Sequence, residues 1–143
     1  MKRLTEITVN YKYKICPTKL QKITNDVEAK KVINTIYSKV ETKDFRETCF
    51  AIYLNNALKV LGIQKLCEGE HRGTLMCSKL IYQTALKTNS SSVILVHNHP
   101  SQIAKASKLD IETTNAIRLG LKLLEIDLID SFVYTNKKII SIK

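Results

Sequence analysis

The sequence is poor in several features that would settle its class at once. Aromatic side chains make up only 6% of its 143 residues, too few for a platform that stacks the bases of a single strand. The four cysteines, Cys16, Cys49, Cys67 and Cys77, contain no C-x-x-C pair, so zinc-knuckle and thioredoxin-type readings lose their basis and free thiols in a reducing compartment are expected. No apolar run approaches the ~18 residues of a membrane span, and the opening Met1-Lys2-Arg3-Leu4-Thr5-Glu6 turns polar before a signal-peptide core can form. A soluble cytoplasmic protein with no membrane partner is the expectation. There is also no internal repeat, no low-complexity stretch and no interdomain linker, so one globular domain follows from the length. A chain this long buries roughly 68–70% of the surface exposed when unfolded, and its core needs no disulfide or structural metal. A metal, if bound, would serve chemistry.

What is present in excess is positive charge, with 23 Lys and Arg against 13 Asp and Glu and a net charge of +10. Clustered cations release counterions from a polyanion and bind it without sequence preference. Here the excess lies mostly in the N-terminal third, remote in sequence from the histidine pair, and no run of five or six like charges occurs. The charge reads chiefly as solvated surface, with weak DNA binding through the basic N-terminal third as the second reading.

Apolar and polar residues alternate from Ile7 to Ile15, the pattern of a strand with one buried face, and residues 1–24 are read as an N-terminal strand or arm. Thr24-Asn25-Asp26 offers caps for a helix over about 26–41 that places Val27, Val32, Ile33, Ile36, Tyr37 and Val40 on one face. Cys49 to Leu54 and Leu58 to Leu66 form a hairpin across Asn55-Asn56. Ser78 is the expected cap of a helix over 79–88 with Leu80, Ile81, Ala85 and Leu86 inward. Val93-Ile94-Leu95-Val96 has the composition of a central strand covered on both faces. A long helix over about 107–124 follows, with Leu109, Thr113, Ile117, Leu121 and Leu124 inward and Gly120 permitting close packing. The chain ends in a hairpin around Thr135-Asn136-Lys137. This order predicts an α/β fold, a mixed β-sheet flanked by helices.

The central strand leads directly into His97-Asn98-His99. Residues i and i+2 of an extended segment point the same way, so both imidazoles can meet one metal ion. Ser107 and Asp110 follow in the spacing H-x-H-x7-S-x2-D. Ser107-Lys108-Leu109-Asp110 also fits an S-x-x-D capping arrangement, and the two readings are compatible, since a capped helix start holds its carboxylate rigidly. Asn98 and Ser101 fit a role in shaping the loop, which turn chemistry alone also explains. His71 sits in a charged loop and reads as solvent-exposed.

The stretch HNHPSQIAKASKLD resembles the hallmark of the RadC family within the JAMM (MPN+/JAB) zinc metallopeptidase superfamily, HNHPS followed by S-x-x-D. The likeness extends to Glu47-Thr48-Cys49-Phe50-Ala51-Ile52-Tyr53-Leu54-Asn55, Val60-Leu61-Gly62, Gly73-Thr74, Ala85-Leu86-Lys87 and Ile126 to Asp130, and covers about residues 25–142. It implies a JAB/MPN (cytidine-deaminase-like) architecture over 25–143. It further implies one Zn²⁺ held by His97, His99 and Asp110, a fourth position for water, Glu47 as general base and Ser107 as oxyanion donor. Asn98, Pro100 and Ser101 would support the loop. The implied reaction is hydrolysis of a peptide or isopeptide bond in a protein or peptide substrate. The alternative is a DNA-associated repair or recombination accessory protein whose JAB domain is structural or acts on another bond. A nucleobase deaminase would need a Pro-Cys-x-x-Cys pair, which is absent.

Among the acidic residues upstream, Glu41, Glu68 and Glu70 compete with Glu47, and the resemblance alone selects Glu47. Gln102 stands where the family usually has Gly, Ser131 where many relatives have the His of an Asp-His pair, and Cys77-Ser78-Lys79-Leu80 where His-Pro-Arg-Glu is typical. Larger RadC proteins add a helix-hairpin-helix region, for which this chain has neither the length nor the glycine pattern.

Overall fold

Asn25 is the residue that starts the first helix. Its side chain accepts from the Glu28 N–H (3.0 Å), while the Glu28 carboxylate accepts from the Thr24 N–H (2.6 Å) and hydroxyl (2.8 Å). These bonds satisfy donors that a helix start otherwise leaves open. The helix, α1 (Asp26–Tyr37), buries Ala29, Val32, Ile33, Ile36 and Tyr37, whereas Val27, expected on the same face, is exposed in its first turn. It stops four residues short of the expected end, and turns carry the chain to the first strand. The fold comes from a computed structural model that describes residues 19–69 and 76–143. The expected strand at 7–15, most of the 1–24 arm, His71 and Gly73-Thr74 lie outside the described residues.

Five strands form one mixed sheet in the order β2-β1-β3-β4-β5. They are β1 (Glu47–Leu54), β2 (Val60–Gly69), β3 (Ser92–Asn98), β4 (Asp127–Tyr134) and β5 (Ile139–Ser141), with α2 (Ser78–Lys87) and α3 (Lys108–Leu123) between them. Only β3 and β4 run parallel, and α3 is the crossover that joins them; the other neighbours are antiparallel. All seven residues of β3 are buried, as expected for a central strand with apolar layers on both faces.

The two faces of the sheet carry separate cores. On one, Ile52, Leu54, Ile94, Val96 and Phe132 pack against Val32, Ile33, Ile36 and Tyr37 of α1. On the other, Ala51, Tyr53, Val93 and Leu95 pack against Ile81 and Ala85 of α2 and Ile117 and Leu121 of α3. Each such fully buried aliphatic side chain stabilises the fold by about 1.5–3 kcal/mol relative to exposure. The helix stripes differ from expectation at their ends. Ser78 lies inside α2, whose N-cap Cys77 makes no side-chain cap bond, and Leu86 and Leu109 are 56% and 44% exposed. Gly120 does permit close packing: a Cβ there would lie 2.0 Å from the hydroxyl of Tyr82 on α2.

One buried polar cluster fixes the start of β1. Asn98, at the end of β3, accepts from the Thr48 N–H (2.6 Å) and donates to the carbonyls of Lys43 (2.6 Å) and Arg46 (2.9 Å). The Tyr37 hydroxyl donates to the Thr48 carbonyl (2.6 Å), and its ring stacks on Tyr134 at 4.3 Å. Both backbone groups of Thr48 are therefore held by side chains from other elements. Asn98→Ala would lose three hydrogen bonds and leave buried partners unmet, at a cost of about 3 kcal/mol. The expected thermal shift is a fall of roughly 6–12 °C; an unchanged melting temperature would contradict this anchoring role.

Candidate metal centre

The face of the sheet that carries Cys49 also carries the histidines. Cys49 lies directly opposite His97. One step of two residues outward on each antiparallel strand then places Glu47 and His99 beside each other on the same face. From the opposite side, the first turn of α3 supplies Asp110. Ligand atoms of Glu47, His97, His99 and Asp110 all lie within 4.8 Å of one another. The four residues gathered here are those singled out from the spacing and the family resemblance.

Asp110 is oriented before anything binds to it. The Ser107 hydroxyl accepts from the Asp110 N–H (3.1 Å) and the Asp110 carboxylate accepts from the Ser107 N–H (2.6 Å), a complete capping box. The same carboxylate lies 3.2 Å from His97 Nε2 through one oxygen and 3.4 Å from His99 Nε2 through the other. The two Nε2 atoms are 3.0 Å apart. His99 Nδ1 lies 3.0 Å from the Ile103 carbonyl, so that nitrogen carries the proton and Nε2 of the neutral ring offers its lone pair.

These distances suit a tetrahedral cation. With metal–ligand arms of ~2.0–2.1 Å, the edges of a tetrahedron are about 3.3 Å, close to the 3.0 Å between the two Nε2 atoms, and one Asp110 oxygen lies beside each ring. The chemistry of the set also fits zinc: two imidazole nitrogens and one carboxylate oxygen leave one position for solvent.

The charges within the site follow its geometry. Burial pushes the Asp110 carboxyl upward, but hydrogen bonds from His97, His99 and Ser107 outweigh it and hold the group well below the usual carboxylate range. The hydrogen bond to Asp110 raises His99 above the usual imidazole value, against the opposing effect of burial. Burial raises Glu47, partly offset by the two imidazoles. Glu47 is thus a carboxylate disposed to hold a proton.

Other expected residues divide clearly. Ser107, Pro100, Ser101, Glu47, Leu109, His99 and Asp110 line a cavity of about 310 Å³ over the cluster. Glu68 is bound to Thr42 and paired with Lys65 and Arg46, so it is occupied elsewhere; Glu70 lies outside the described residues. Ser101 accepts weakly from the Ile103 N–H at 3.4 Å. Asn98 does more than shape a turn, because it anchors β1 from the far face of the sheet. Gln102 adopts φ 62, the left-handed region that favours glycine, and its side chain accepts from the Asn136 N–H at 2.8 Å. His97 Nδ1 and Ser131 Oγ are both buried without a hydrogen-bond partner among the described residues. Nothing local in the chain pointed to the Ile103 carbonyl as a partner of His99 or to the Tyr37 hydroxyl as a donor to the Thr48 carbonyl.

The family model for the RadC-like JAB domain matches residues 25–143. The chain is 28% identical over 120 residues to a UPF0758 protein of Flavobacterium johnsoniae, covering 84% of this chain and 51% of that one. It is 33% identical over 96 residues to a UPF0758 protein of Vibrio cholerae (67% and 43% covered) and 30% identical over 107 residues to one of Legionella pneumophila (74% and 47% covered). The chain spans about half the length of these curated relatives. Among the described residues, no helix is long and apolar enough to cross a membrane.

The raised His99 value carries a linkage consequence for the metal-free protein. Its contribution to stability is fully present below the unfolded imidazole value of ~6.5 and is lost as pH rises through the higher folded value. Zinc and this proton compete for the same lone pair. Zinc at 100 times its dissociation constant should therefore raise the melting temperature by roughly 5–10 °C at pH 8, and by clearly less at pH 6. An equal shift at both, or one retained in His99→Ala, would contradict the assignment.

Proposed function

The chain belongs to the RadC-like JAB domain family, and we propose that it is a zinc-dependent hydrolase that cleaves a peptide or isopeptide bond with a Glu general base. The observation that carries this reading is the convergence of Glu47, His97, His99 and Asp110 at the floor of an open cavity. A zinc ion on His97, His99 and Asp110 would supply Lewis acidity and lower the pKa of a water from about 15.7 toward ~7.

The chain's own residues then divide the work. Glu47, held by the clamped Thr48 peptide, takes the proton of the attacking water and passes it to the leaving nitrogen. Burial supports both halves of that role, since a carboxyl with a raised pKa holds the proton long enough to deliver it. The Ser107 oxygen accepts from the Asp110 N–H, which leaves its hydroxyl proton to donate to the oxyanion on the scissile carbonyl. A DNA-associated accessory role draws on the net charge of +10 and on the family resemblance; the four-residue cluster does not enter it, and it is the weaker reading.

Glu47→Gln keeps the size and hydrogen-bonding reach of the side chain but cannot accept the proton. With a library of internally quenched peptides and isopeptide-linked conjugates as probe, turnover should fall by at least ~10²-fold while zinc content per chain stays unchanged. Undiminished turnover would remove Glu47 from the mechanism.

A further inference from the structure

Cys49 of β1 and Cys67 of β2 are direct cross-strand partners. Directly opposed residues on antiparallel strands have Cα atoms about 4.5–5.5 Å apart, inside the ~4.4–6.8 Å that a disulfide spans. Their interaction splits the two thiols, raising Cys49 well above the usual thiol value and lowering Cys67 below it. Both pack on the same apolar cluster, with Cys49 1% exposed and Cys67 only partly buried. One sulfur can thus meet a solvent-borne reagent while the other waits behind it, as in redox-sensing pairs. The register shift beside Cys49 inserts Leu66 between the partners of Cys49 and Phe50. Such a bulge loosens and twists the ladder locally, giving the backbone room to adopt disulfide geometry.

We propose that Cys49 and Cys67 form a redox-active dithiol, oxidised by peroxides to a cross-strand disulfide at the edge of the metal-centre face. Cys67 Sγ attacks one peroxide oxygen; the O–O bond breaks, leaving a sulfenic acid and one water. Cys49 Sγ then attacks the Cys67 sulfur and displaces the hydroxyl, which leaves as a second water with the Cys49 proton. Two thiols and one hydrogen peroxide become one disulfide and two waters, each sulfur giving up one electron. The new bond ties β2 to the strand that carries Glu47, directly opposite His97. The bond needs only the β1–β2 register and is independent of the reaction proposed at the zinc.

The test is peptide mapping of the full chain after brief hydrogen peroxide treatment, followed by denaturation and alkylation. Cleavage after Lys59 or Lys65 separates the two cysteines, and the exposed Cys77 reports the oxidant dose. The expected result is a Cys49–Cys67 cross-linked peptide, lighter by two hydrogens, reversed by dithiothreitol and absent from Cys67→Ser. Recovery of Cys49 and Cys67 as free thiols at a dose that oxidises Cys77, or a link from Cys67 to Cys77, would overturn the proposal.

Discussion

The alternation of side chains along the last three residues of β3 organises both faces of this protein. Extended backbone sends His97 and His99 to one side of the sheet and Asn98 to the other. On the first side the two imidazoles meet Asp110. On the second, the Asn98 amide grips Thr48, Lys43 and Arg46, so the residue next to Glu47 cannot drift. One short strand segment thus supplies two candidate ligands of the centre and secures the carboxylate opposite them. A slip of one residue in register would reverse the arrangement and bury the imidazoles against α1.

The third ligand depends on a helix start. Ser107 and Asp110 exchange hydrogen bonds across the first turn of α3, and this capping box fixes a carboxylate whose two oxygens face two different rings. Capping and metal binding use the same residues because both require a carboxylate held at a helix N-terminus, where the helix dipole also favours negative charge. The support is uneven between the two rings: the Ile103 carbonyl orients His99, while His97 Nδ1 has no partner among the described residues. His97 is held instead by full burial within β3.

Legibility in the sequence followed the range of the interaction. The histidine pair and the capped helix start could be read because they rest on local rules, i and i+2 in a strand and i and i+3 at a helix start, while joining them into one ligand set took the family resemblance. The apolar run 93–96 announced a central strand for similar reasons. Glu47 could not be separated from three other glutamates without the family resemblance, since its place depends on the pairing of β1 with β3. The role of Asn98 was hidden, because nothing local says that the loop at Lys43 and Arg46 returns beneath it. Leu86 and Leu109 fit the helical stripe yet are exposed, and periodicity carries no information about how far a neighbouring layer extends. The Cys49–Cys67 pairing was equally illegible. Continuing the register of Leu54↔Val60 without interruption would set Cys49 against Lys65, and two register shifts move its partner to Cys67.

The nearness of these thiols to the imidazoles makes the donor atoms the most direct point at which to test the metal assignment. X-ray absorption at the zinc edge of the purified chain distinguishes nitrogen and oxygen ligands at ~2.0–2.1 Å from sulfur at about 2.3 Å. A single nitrogen and oxygen shell with two imidazoles is expected if His97, His99 and Asp110 hold the ion. A sulfur shell, or a chain that retains no zinc, would contradict it.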